Sequence, residues 1–126
     1  MRQILLEFVE AINNHNTEKI AGLLLEDHVF IDSLGIETRG KDTMERAWVK
    51  YFEMFPDYKI DVKELLNEAN RWYMFGFASG TYGGENPQNF WLLPAAWKAV
   101  IDGDKIKLWQ VYSDTKILFD IIGENS

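Results

Sequence analysis

Cysteine is absent from the 126-residue chain, which removes disulfides, thiolate metal sites and cysteine nucleophiles together. Only two histidines are present. His15 sits in a polar turn and His28 on a strand, so a histidine-based metal centre is not expected, and the scattered carboxylates lack the spacing of a calcium or magnesium loop. Basic residues are in the minority: thirteen Lys and Arg against twenty Asp and Glu give a net charge of -7. They are also dispersed, so the chain has no cationic footprint for phosphates and nucleic acid is not an expected partner. No apolar run approaches the ~20 residues of a membrane span. The segment Met1 to Glu10 is broken by Glu7 and Glu10, unlike the apolar stretch of a signal peptide. Serine-hydrolase elbow, phosphate loop and dinucleotide fingerprint are all missing. The expectation is a soluble cytoplasmic protein with no membrane, metal or organic cofactor.

What the chain does have is rings. Five Trp, five Tyr and eight Phe make up 14% of it, enough either to line a pocket or to fill a core without one. The length suits one domain, 1–126, able to bury roughly 65 to 70% of its unfolded surface.

Periodicity orders these residues. Ile4, Leu5, Phe8, Val9 and Ile12 mark an amphipathic helix over 3–13, and Asn16 or Thr17 can cap a second helix running through Ile20, Leu23 and Leu24. From His28 the period changes to two, with His28, Phe30 and Asp32 on one face. Ser33-Leu34-Gly35 turns the chain towards a short partner strand ending at Arg39. A third helix begins near Asp42 or Thr43, presents Met44, Ala47, Trp48, Tyr51 and Phe55, and stops at Pro56. From Tyr58 to Ser113 the pattern is antiparallel sheet: Tyr58–Leu66, Arg71–Tyr82, Trp91–Ile101 with a bulge or edge at Pro94, and a last strand after the Asp102-Gly103-Asp104 turn. Strict alternation along that last strand puts Ile106, Leu108, Gln110, Tyr112 and Asp114 on one face, a gradient suited to a pocket wall, with Lys107, Trp109 and Val111 on the other. The fold class is α+β, with three helices gathered against a mostly antiparallel sheet.

Five segments in this order resemble the SnoaL-like proteins, within the group sharing the fold of nuclear transport factor 2 and ketosteroid isomerase. They are Asn13 to Leu25 with Asp27, Phe55-Pro56-Asp57, Gly80-Thr81-Tyr82-Gly83-Gly84, Asp102 to Ile106, and Tyr112-Ser113-Asp114 leading to Ile121-Ile122-Gly123. The resemblance implies a cone-shaped curved sheet around an internal cavity, and a homodimer through the outer sheet face. It also implies a small apolar ligand of polyketide or steroid type. Asp32 looks like the isomerases' carboxylate base. Phe8 stands where their oxyanion-hole tyrosine would be, and Ala95 or Ala96 where their protonated aspartic acid would be, so steroid isomerisation is not implied. Asp114 is similar in position to the acid/base residue of SnoaL-type cyclases, and Tyr82 occupies a place where those cyclases often carry histidine.

The candidate catalytic residues are Asp32, Asp114 and Tyr82. An acid on a largely apolar strand face suits a general base, although Asp32 can equally cap the turn after it and Asp114 a helix that follows it. Candidate ligand contacts are Phe30, Trp48, Tyr51, Trp91, Trp97 and Tyr112, each with an alternative as plain core. The expected function is small-molecule binding with cofactor-independent acid/base chemistry: cyclisation, isomerisation or hydration. The alternatives are a non-catalytic binding or scaffold module, and an epoxide-hydrolase-like enzyme whose Asp-Arg-Asp relay would need Arg39 or Arg71.

Overall fold

The computed structural model describes residues 1–125. Helix α1 (Arg2–Asn13) buries Leu5, Phe8, Ala11 and Ile12 along one stripe, as the periodicity requires. Helix α2 (Thr17–Gly22) starts where the Asn16 side chain accepts a hydrogen bond from the Lys19 amide. The turn between them is a clasp. Asn13 exchanges two hydrogen bonds with the backbone of Ile60, at 3.0 and 2.8 Å. His15, held at a φ of 55°, donates Nε2–H to the Tyr58 carbonyl at 2.7 Å and stacks on Phe52.

Strand β1 (Leu24–Ile31) begins earlier than the sequence suggests, because Leu24 pairs with Ile106 of the last strand and is taken out of the helix. Antiparallel β2 (Glu37–Arg39) completes the hairpin. Helix α3 (Lys41–Met54) follows, then β3 (Lys59–Glu68), β4 (Arg71–Thr81), β5 (Phe90–Asp102), β6 (Lys105–Tyr112) and a fourth helix, α4 (Lys116–Glu124). The six strands form one curved sheet in the order β2-β1-β6-β5-β4-β3. Among the described residues only β1 and β6 pair in parallel. The expected cone-shaped α+β architecture is therefore the one observed.

Two irregularities decide which side chains look inward. On β3, Lys63 is an extra residue between the pairs Val62↔Gly76 and Glu64↔Phe75. Bulges of this kind bend the strand, and here only glycine fits opposite: a Cβ on Gly76 would run into the Asp61 carbonyl. On β6, Ile106 pairs with Ile101 but Leu108 with Val100, leaving Lys107 as the extra residue. One inserted residue reverses every later side chain.

The inner face carries Trp72, Met74 and Ala78 from β4 and alternate residues of β5 from Trp91 to Ile101. These pack with Phe8, Trp48 and Phe55 into one apolar cluster. Pro94 lies where β5 outruns β6, whose pairing begins only at Ala96, so the missing N–H falls at a local edge. Among the described residues no helix is long and apolar enough to cross a membrane.

Candidate functional site

One set of polar groups is spent on holding helix to sheet. Asp57, just after the α3 stop at Phe55-Pro56, accepts the Thr81 amide at 2.7 Å through one oxygen and the Thr81 hydroxyl at 2.6 Å through the other. Two of the sequence motifs thereby become one clamp. Gly84 completes it by lying so close to Pro56 that a Cβ would sit 3.0 Å from the ring.

The clamp shares its end of the sheet with a cavity. Between α3, α4 and the ends of β1 and β6 lies this cavity, of about 260 Å³. Its walls are Phe30, Trp48, Tyr51, Tyr58 and Trp109, with Met44, Ala47 and Val111 between them. Asp32, Ser33 and Thr115 edge it, and Leu118 and Phe119 of α4 cover it. Leu118 and Ile121 bury one side of α4, and a 3.0 Å hydrogen bond between the Ser33 and Thr115 hydroxyls ties its start to the β1 end. The Asn89 and Asn125 side chains bond each other at its far end.

Among the described residues Asp32 is the only Asp or Glu in this lining, and no Lys, Arg or His belongs to it. Its Oδ1 accepts the amides of Leu34 and Ile36 at 2.9 and 3.0 Å, the turn-capping role foreseen from sequence. Among the described residues its Oδ2 takes part in no hydrogen bond and no ion pair is made. The carboxylate is thus fixed in direction with half its accepting capacity unused.

Burial raises the Tyr51 phenol above its ordinary range, and burial plus the neighbouring Tyr51 raises Tyr58 well above it. Both are neutral hydrogen-bond donors at any physiological pH. The buried His28, one turn of the pleat below Phe30, is shifted the other way. Burial lowers its pKa, partly offset by the 2.8 Å bond its Nδ1–H donates to the Ile106 carbonyl. It holds β1 to β6 in its neutral form.

The sequence candidates divide accordingly. Phe30, Asp32, Trp48 and Tyr51 line the cavity. Tyr112 and Asp114 do not: the Lys107 bulge turns Tyr112 onto the outer face, where it is 52% exposed. Asp114 is exposed and accepts the amide of Lys116, the first residue of α4, from one position outside the Thr115 N-cap. Trp97 stacks behind Trp109 in the core, and Trp91 packs against Phe55 and Tyr58. Tyr82 sits edge-on to Phe55, outside the cavity lining. Arg39 pairs with Glu37 and Arg71 with Glu68, so neither stands at the centre of an Asp-Arg-Asp relay.

Tyr58, Trp109 and Val111 are wall residues the sequence reading missed. Tyr58 carried a signal, since Tyr58, Ile60 and Val62 alternate after the Pro56 stop. Trp109 and Val111 carried the wrong one because of the bulge. Among the described residues, no group of three or more His, Asp or Glu is placed to hold a metal.

The fold recurs in solved structures of low identity, a likeness that concerns architecture alone. A hypothetical protein of Catenulispora acidiphila with a ketosteroid isomerase-like fold, solved in complex with trimethylamine, superposes with a TM-score of 0.83 at 14% identity, over 95% of this chain and 92% of that one. A candidate SnoaL-like polyketide cyclase of Shewanella denitrificans gives 0.83 at 14% identity, over 98% and 96%. An LEH-like epoxide hydrolase of M. tuberculosis gives 0.80 at 13% identity, over 97% and 88%. No functionally curated protein matches the chain. In sequence, however, residues 5–109 match the model of the SnoaL-like domain, most of the chain's length and nearly all of its sheet, and the chain therefore belongs to the SnoaL-like family.

Proposed function

We propose that this SnoaL-like chain takes a small, largely apolar molecule into the ring-lined cavity and moves a proton on it with Asp32, without a metal or organic cofactor. The observation that carries this reading is the single carboxylate at the rim, oriented by two backbone amides through Oδ1 and left with a spare oxygen. Such a group is a positioned base. The Tyr51 and Tyr58 phenols, kept protonated by burial, are the donors available to a substrate carbonyl or hydroxyl oxygen. Cyclisation, isomerisation and hydration all need this pairing of a base with a neutral donor. The Asp-Arg-Asp alternative lacks its arginine here.

The volume limits the ligand. About 260 Å³ lies below the ~300–1,000 Å³ of clefts for drug-sized molecules, which favours a compact substrate over a fused-ring steroid. Replacing Asp32 by Asn keeps the Oδ1 acceptor and removes the base. Turnover of any substrate found by screening small carbonyl compounds should fall ~100-fold or more; full turnover in that variant would leave only the non-catalytic binding reading.

A second chain is the proposed partner. Phe75, Phe77, Leu92 and Tyr112 are exposed together on the outer sheet face, with Phe77 opposite Pro94 and Tyr112 opposite Ala96. Contiguous apolar surface of this kind marks an interaction site. Sedimentation should show a dimer that Phe77→Asp converts to monomer, and a monomeric parent protein would refute the pairing.

A further inference from the structure

We infer that the ligand of this cavity is a small organic cation, a tertiary or quaternary ammonium compound; the inference rests on the cavity reading above and narrows it. The argument begins with the arrangement of the rings. Trp48 stands at 67° to Phe30 with centroids 6.4 Å apart, and at 83° to Tyr51 with centroids 6.1 Å apart. Tyr51 in turn stands at 89° to Tyr58, 4.9 Å away. Three of these wall pairs meet edge to face and the fourth, Trp48 with Tyr58, is tilted at 44°, so the rings turn their surfaces in several directions around one space rather than forming a single stack. The face of an aromatic ring carries the negative part of its quadrupole, so a ring face turned towards that space attracts a diffuse positive charge, most strongly at tryptophan.

Charge points the same way. Asp32 is the only ionisable acid at the rim, and no lysine, arginine or histidine lines the space. An anion entering here would meet a carboxylate and ring faces with nothing to neutralise it, at a prohibitive desolvation cost. A cation meets the unused Oδ2 of Asp32, whose Oδ1 is already committed to Leu34 and Ile36. The Asp32 carboxylate is not claimed by any side-chain cation of the protein among the described residues. The net charge of -7 adds a long-range bias towards cations. An alkylated ammonium suits the remaining wall as well. Met44, Ala47 and Val111 offer no acceptors for the N–H groups of a primary amine, whereas methyl groups on nitrogen need none. The chemistry of recognition is therefore that of a methylated ammonium head held between the ring surfaces and the Asp32 carboxylate.

The test compares shape-matched probes on the intact protein by calorimetric titration. The probes are choline, its uncharged carbon isostere 3,3-dimethylbutan-1-ol, and the anion pivalate. Choline should bind about tenfold or more tightly than the alcohol, and pivalate more weakly than either. Asp32→Asn should weaken choline several-fold more than the alcohol and bring the two affinities close together, and Trp48→Leu should likewise weaken choline more than the alcohol. Equal or tighter binding of the alcohol overturns the cation assignment and leaves the apolar-cavity reading standing. Tightest binding of pivalate overturns it too. Binding of none of the three removes both the cation assignment and the cavity as a ligand site. Since Asp32→Asn keeps the turn acceptor, it remains a usable test should Trp48→Leu fail to fold.

Discussion

Asp57 and Asp32 occupy comparable places, each in a turn flanking the sheet, yet they are used in opposite ways. Asp57 spends both oxygens on Thr81 and welds the α3 exit to the end of β4. Asp32 spends one oxygen on its own turn, keeps the other uncommitted and stands at the edge of a cavity. The same contrast runs through the molecule. Asn13, His15 and His28 are paired to backbone and belong to the frame, while Tyr51 and Tyr58 belong to the cavity wall. Residue type alone does not separate the two sets. What separates them is accepting and donating capacity left unused beside an empty space, and an unpaired polar group is kept near such a space only where water or a ligand can meet it.

The sharpest way to break this comparison is to exchange the fates of the two acids. Asp57→Ala removes two charge-assisted hydrogen bonds and should cost about 3 kcal/mol in denaturant unfolding, with little direct effect on ligand affinity in the folded fraction. Asn13→Ala should follow at about 2 kcal/mol, because it strands the amide and carbonyl of Ile60. His28 sharpens the frame side through pH. Its folded pKa lies below the unfolded value of about 6.5, so the unfolded chain takes the proton first and stability falls as pH drops from there towards the lowered folded pKa. His28→Asn, which can keep a donor for the Ile106 carbonyl, should flatten that part of the stability-against-pH curve. Asp32→Asn should shift stability by less than about 0.5 kcal/mol while abolishing proton transfer. Asp114→Asn should do least, leaving stability within about 0.5 kcal/mol and turnover unaltered, because its role is a single exposed cap to Lys116. Loss of activity in Asp114→Asn would erase the distinction drawn between the two sequence candidates.

Much of the frame was legible in the chain. The helical stripe of Leu5, Phe8 and Ile12, the stop at Pro56, the Asp102-Gly103-Asp104 turn and the paired motifs are local signals, and local signals survive into the fold. The early start of β1 was not legible, since Leu23-Leu24-Leu25 reads equally as helix until Ile106 supplies a partner from 82 residues away. The site was half legible. Phe30 and Asp32 fell on one face by plain alternation, and α3 presented Trp48 and Tyr51 by helical spacing. Tyr112 and Asp114 were misplaced by one inserted residue, Lys107, which looks like any other strand lysine and is revealed as extra only by its unpaired position against β5. The clamp made by Asp57 was equally invisible, because its two halves lie 24 residues apart.

The central claim is that the space between α3, α4 and the inner sheet is open to a ligand. The most direct measurement is tryptophan fluorescence during titration with choline, since Trp48 and Trp109 both form its wall, carried out on the parent protein and on Ala47→Trp, which fills the cavity from α3. The account predicts a saturable change in the parent and none in the variant, with the variant's thermal unfolding still cooperative. A parent protein that shows no saturation, or a folded Ala47→Trp that binds as well as the parent, would contradict it.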